Sequence, residues 1–188
     1  MQRLAILGMV LLTAFAVVGV DAVSVSASGH EFVASKTGKT KSKQTDAQVF
    51  KTGAGTLECT EASGTGEIKE GHSITHKEVF TYSGCSAFGS KVTVTPAHFE
   101  FNANGPVKLE NEVTITPTND ECELVIEPQT LEHANYKNET GGKVGATASA
   151  VKIHSKGTGG GCGSSENTEG SYKGAVLGEL EGGTLEWQ

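Results

Sequence analysis

The sequence predicts an all-β chain: an antiparallel β-sandwich after an N-terminal signal helix, with a barrel-like closure or two small packed β modules as alternatives. Three observations predict it. Beyond residue 28, apolar residues recur with a period of two, and no stretch sustains the helical period of about 3.6 residues. Such segments return roughly every 8–15 residues, divided by Gly, Asn, Ser and Pro, which is the rhythm of sandwiches and barrels. Aromatic residues make up 6% of the chain while Thr, Val and Gly abound, a composition suited to pleated, half-buried strands.

Taken in order, residues 30–35 and 46–52 are short strand candidates. The lysine-rich KTGKTKSK between them reads as a solvated loop or an edge strand. Leu57 and Cys59 share a strand face. Over 73–82, Ile74, Phe80 and Tyr82 fall on one face and Val79 on the other. The clearest unit is 97–116: Phe99 and Phe101 share a face, and NANG at 102–105 ends in the Asn-Gly pair that favours a tight hairpin turn. Val107, Leu109, Val113 and Ile115 then alternate with Lys108, Glu110, Glu112 and Thr114, which reads as one half-buried strand. Pro117 stops it. Over 121–128, Cys122, Leu124 and Ile126 face inward and Glu121, Glu123 and Glu127 outward. Strands of small residues at 145–154 and 171–180 follow, and TLEW closes the chain with Leu185 and Trp187 on one face.

The chain opens MQRLAILGMVLLTAFAVVGV. Arg3 supplies a positive start, Leu4 to Val20 an uncharged apolar run, and VDA and VSA the small-residue exits of a secretory leader. Residues 1–27 are therefore expected to be a signal peptide cleaved after Ala27, with Ala22 the second choice. Residues 28–188 are expected to form a single disulfide-stapled β domain, secreted and without a stable membrane span. The competing reading is a retained anchor, since the run approaches the ~20 apolar residues of a span. No cysteine sits near the cleavage region for lipid attachment, and GGTLEWQ at the end carries no anchor signal.

The leader's Arg3 and Asp21 cancel, so the remaining chain keeps the net charge of −7. Arg3 is the only arginine. An acidic chain without the guanidinium fork is a poor partner for phosphates, so nucleic acid is not an expected ligand. All four cysteines, Cys59, Cys85, Cys122 and Cys162, follow the leader. An even count in an exported chain reads as two disulfides, and Cys59–Cys85 with Cys122–Cys162, one per half, is the favoured pairing of three. A zinc site is disfavoured because no two cysteines have the C-x₂₋₄-C spacing.

The most conspicuous stretch is GTGGGCGSS at 157–165. It lacks the Lys of a phosphate-binding loop, the third glycine and following helix of a dinucleotide fingerprint, and the G-x-S-x-G of a nucleophile elbow. It reads as a backbone corner that brings Cys162 to its partner. His72 and His76 in HSITH lie four apart, too far along a strand to share a metal without a third ligand. Glu110/Glu112 and Glu121/Glu123 have the spacing of a glycosidase pair but fall on the polar faces of amphipathic strands. Asn119, Asp120 and Glu121 lack EF-hand spacing. NET at 138–140 is a glycosylation acceptor motif in a host with that machinery. No catalytic residue, metal or cofactor is expected.

FVASKTGKTKSKQTDAQVFKTGAGTLECTEASGTGEI, TYSGCSAFG, AHFEFNANGPVKL and GGGCGSS resemble segments of the small exported β-rich proteins found in multiple copies in soil actinobacteria. The resemblance spans nearly the whole chain after the leader. It implies a bacterial exported protein in which Asn138 is unmodified, and it carries no activity and no functional residue.

The expected function is a non-enzymatic extracellular or envelope-associated protein, with a cell-envelope or glycan component as its partner. The alternative is a carbohydrate or small-ligand binding module, which needs clustered exposed aromatics; Trp187, Tyr136, Tyr172 and Phe88 are its candidates. A hydrolase of unrecognised type, with a His–carboxylate or paired-carboxylate cleft, comes third.

Overall fold

The computed structural model describes residues 29–52, 55–87, 89–118, 122–159 and 166–188. Residues 1–27 with the two expected cleavage positions, Phe88, Asn119, Asp120, Glu121 and Cys162 lie outside them. The described chain is all-β. Its strands are β1 (Phe32–Ala34), β2 (Gly38–Thr52), β3 (Gly55–Ile68), β4 (Gly71–Ser73), β5 (Thr75–Ala87), β6 (Ser90–Val94), β7 (Ala97–Asn102), β8 (Val107–Leu109), β9 (Val113–Pro117), β10 (Glu123–Ile126), β11 (Gln129–Leu131), β12 (His133–Glu139), β13 (Lys143–Thr158), β14 (Glu166–Leu180) and β15 (Leu185–Trp187).

Eight of them close into an antiparallel barrel, the alternative to the sandwich expected first. Around the ring run β2, β3, β5, β6, β9, β10, β13 and β14, and β14 returns to β2. Each barrel strand pairs with the next in the chain, so the topology is an up-and-down meander. The seam is short: β5 meets β6 only through Ser86–Lys91 and Ala87–Ser90. The remaining strands are insertions into this meander. β7, β8 and β11 extend the wall from the first half of β5, and β12 lies along the first half of β13. The three-stranded sheet β15–β1–β4 covers the adjoining end of the barrel, with Phe32, Ala34 and Leu185 buried in the common core.

The lysine-rich segment is a correction to the sequence reading. Residues 38–43 form neither loop nor edge but the first part of β2, paired with β3 throughout and with β14 from Thr40 onward. Lys39, Lys41 and Lys43 are exposed, while Thr40 and Ser42 are buried. The strict alternation that a strand imposes explains both. Residues 107–116 form two strands rather than one. Asn111 breaks the run, accepting a hydrogen bond from His98 N and donating to the carbonyls of Pro96 and Glu112. Val107, Leu109, Val113 and Ile115 are all buried, as their alternation predicts. The Asn-Gly turn is present: Gly105 has φ +119° and joins β7 to β8. Ile74 is exposed instead of sharing the face of Phe80 and Tyr82, because the chain bends between β4 and β5.

Bulges shift the register of β2, β13 and β14 near mid-barrel. Where β13 leaves β12 and has not yet reached β10, Gln129 substitutes for a strand. Its carboxamide accepts from His154 N and donates to His154 O, at 2.9 and 3.0 Å. The wall is polar outside, with Lys51, Glu58, Glu61, Glu67 and Lys77 exposed, and apolar inside. That is the inverse of a transmembrane barrel, whose outward band is apolar.

Candidate functional site

The interior is filled. Among the described residues, small cavities of about 60, 30 and 30 Å³ lie within the barrel. The first, beside the disulfide, is lined mainly by apolar side chains such as Phe50, Leu57 and Ile126. The last lies beneath the covering sheet and carries the chemistry. Ser42 of β2, His76 and Glu78 of β5 and Tyr136 of β12 line it, all buried, and the buried Thr40 of β2 reaches it through His76.

Glycines in β3 make this cluster. In register, Thr40 faces Gly66 and Gly66 faces Glu78; Ser42 faces Gly64 and Gly64 faces Phe80. A Cβ at Gly66 would lie 2.2 Å from Lys77 O and 3.0 Å from Thr40 Oγ1. One at Gly64 would lie 2.6 Å from both Glu78 Oε2 and the Phe80 ring. With β3 bare at these places, side chains from β2 and β5 meet above it. Thr40 Oγ1 lies 2.9 Å from His76 Nε2, and the same nitrogen lies 3.1 Å from Glu78 Oε1.

A hydroxyl, an imidazole and a carboxylate in contact suggest a relay, but the connectivity differs. A catalytic triad places the hydroxyl on one ring nitrogen and the carboxylate on the other. Here both sit on Nε2. With its proton on Nε2, the ring donates to Glu78, and Thr40 shares that hydrogen. His76 Nδ1, Glu78 Oε2 and Tyr136 Oη have no hydrogen-bond partner among the described residues. They belong to three residues lining one cavity of about 30 Å³, room enough for a single bridging water. Burial pushes the Tyr136 phenol well above its usual range.

The other candidates are dispersed. His72 is exposed on β4, its Nδ1 2.9 Å from Glu31 Oε2, far from the interior environment of His76. Glu110 follows β8 and Glu112 precedes β9, so they do not line one strand. Lys77 binds Glu110 at 2.6 Å and Glu100 at 3.1 Å, and this hydrogen-bonded pairing holds the Glu110 carboxyl below its usual range. Glu123 is exposed on β10, and its neighbour Glu121 lies outside the described residues. Asn138 is tied to β15: its amide donates to Trp187 O and accepts from Trp187 N, both at 2.7 Å. Cys59 and Cys85 face each other across β3 and β5 and are bonded, as expected. Cys122 is also disulfide-bonded. Of GTGGGCGSS, Gly157 and Thr158 finish β13 and Gly159 has φ +103°; the rest lies outside the described residues.

Among the described residues, the candidate aromatics form no exposed strip. Tyr136 is buried, and the Tyr172 hydroxyl donates inward to Gln48 Oε1. Trp187 stacks on His30 with ring centroids 4.0 Å apart and donates its Nε1–H to Ala103 O. An outer concavity, a groove of about 660 Å³, lies over β2, β12, β13 and β14, bordered by Thr45, Asp46, Asn135, Lys137, Glu139 and Thr147.

The sequence reading missed Thr40, Ser42 and Glu78 as interior groups. The signal was present: the parity that puts Phe80 and Tyr82 inside also puts His76 and Glu78 inside. Comparison with protein-family models, curated proteins and solved structures returned no match.

Proposed function

We propose that the chain is an exported, non-enzymatic β-barrel module of the extracellular space or cell envelope, acting through its outer surface. The observation that carries this reading is the filled interior. Ligand pockets measure about 300–1,000 Å³, whereas the barrel's cavities are about 60, 30 and 30 Å³. The polar cluster supports it too, since its imidazole holds hydroxyl and carboxylate on one nitrogen beneath a covering sheet. The leader, the cysteine pairing and the resemblance to exported actinobacterial proteins point the same way.

A second reading has one observation in its favour. The outer groove of about 660 Å³ has the size of a ligand site and is bordered by hydroxyl, amide, ammonium and carboxylate groups, the chemistry that recognises a sugar. One experiment addresses both. The full chain is expressed in a bacterial host with a general secretion pathway, and the medium is passed over insoluble peptidoglycan, chitin and cellulose. The first reading expects a protein in the medium that begins at Ser28. Recovery of only full-length chain inside the cells counts against export. Retention on a glycan that Asn135→Ala abolishes favours the second reading.

A further inference from the structure

We propose that Asn104 is a site of spontaneous covalent modification, at which loss of the side-chain amide unlatches the N-terminal strand from the closed end of the barrel. Asn104 is the one asparagine in the sequence followed by glycine. It is exposed at the tip of the β7–β8 turn. Without a Cβ, the Gly105 nitrogen can approach the Asn104 side chain unhindered.

The step is balanced with water alone. The Gly105 backbone nitrogen gives its proton to solvent base and attacks Asn104 Cγ. A new C–N bond closes a five-membered succinimide, the Cγ–Nδ2 bond breaks, and ammonia leaves. Water then opens the ring at one carbonyl or the other, leaving aspartate or isoaspartate at position 104. Overall, an amide and water become an acid and ammonia. In the folded chain Gly105 N donates to Asn102 O at 2.9 Å, so the reaction proceeds through openings of the turn.

The turn at 102–105 holds both ends of the described chain. Asn104 Oδ1 accepts from His30 N at 2.9 Å, and Nδ2 donates to Asn102 Oδ1 at 3.3 Å and reaches His30 O at 3.5 Å. The His30 N–H needs an acceptor, which fixes the orientation of the amide. One residue earlier in the turn, Ala103 O accepts from Trp187 Nε1 at 2.8 Å, and the Trp187 ring stacks on His30. Next to that stack, Glu31 and Gln188 exchange backbone hydrogen bonds. After amide loss, a carboxylate oxygen would face Asn102 Oδ1 and His30 O, two acceptors with no hydrogen between them. Isoaspartate would in addition lengthen the backbone of the turn by one carbon. Either product weakens the latch on β1, and with it the cover over the polar cluster. The inference stands whether or not the chain is exported.

The test is to age the intact, oxidised protein in warm, mildly alkaline buffer and map its peptides by mass. Conversion is expected at position 104 ahead of every other asparagine. Trp187, the only tryptophan, should shift its emission in step with conversion. Exchange of the His30 amide should become about five- to tenfold faster as the latch loosens, as for loss of the one hydrogen bond that Asn104 Nδ2 donates to Asn102 Oδ1. Asn104→Gln should hold its emission constant with time, and Asn104→Asp should show the faster exchange from the outset. No preference for position 104 would overturn the proposal, as would conversion that leaves Trp187 emission and His30 exchange unchanged.

Discussion

Gly66 decides where the polar groups of the interior meet. Any side chain there would strike Lys77 O, a backbone atom with no rotamer to change. Its absence lets Thr40 cross to His76 from a strand two places away in the sheet. The contributions of the three partners should be unequal. Thr40→Val is close to isosteric and leaves His76 with Glu78, so it should cost about 1 kcal/mol. Glu78→Ala strands a buried imidazole and opens a cavity, so it should cost about 3–5 kcal/mol. Urea midpoints at unchanged m-value measure both. Equal losses would mean that Glu78 is no partner of His76. The cluster was only half legible in the sequence. Alternation places Glu78 inside, but a glutamate is almost never fully buried unless paired. Its partners come through a register between β2, β3 and β5 that no local pattern reveals.

At the scale of elements, the weak point of the ring is the seam between β5 and β6. Two residue pairs close it, Ser86–Lys91 and Ala87–Ser90. Directly before them, Cys85 is bonded to Cys59, fixing the end of β5 on β3. The pairing was legible because each half of the chain holds one close pair of cysteines. Its position beside the seam was not, since that depends on the partner of β6. Replacing Cys59 and Cys85 together by Ala removes a constraint across a separation of 26 residues. The chain-entropy model puts this at about 3–4 kcal/mol. Amide exchange should then rise first in β6 and in the part of β9 that pairs with it. Uniformly faster exchange throughout the barrel would show that the bond acts only on the unfolded chain and leaves the seam untouched.

For the whole molecule, alternating strands were legible and their closure was not. A sandwich and a barrel share the same period of two along each strand. Only the long-range pairing of β14 with β2 and the short seam at β6 distinguish them. Polar residues such as the lysines at 39, 41 and 43 marked a loop or an edge strand in the sequence, yet they are the outer face of a central strand. The closed wall has a consequence for alkaline stability. The chain has three tyrosines, and removal from water raises the phenol pKa of all of them: Tyr82, Tyr136 and Tyr172. Proximity of Tyr172 adds to the shift of Tyr82. A group whose folded pKa is raised contributes stability that is fully present below its unfolded value, near 10 for a phenol. Above that pH the unfolded chain releases protons that the folded chain retains, so stability falls as pH rises. Unfolding should therefore become linked to the release of up to three protons, with tyrosinate absorbance appearing together with loss of the barrel's circular dichroism. Tyrosinate absorbance that develops near pH 10 while the barrel signal is intact would show that the phenols reach water in the folded state.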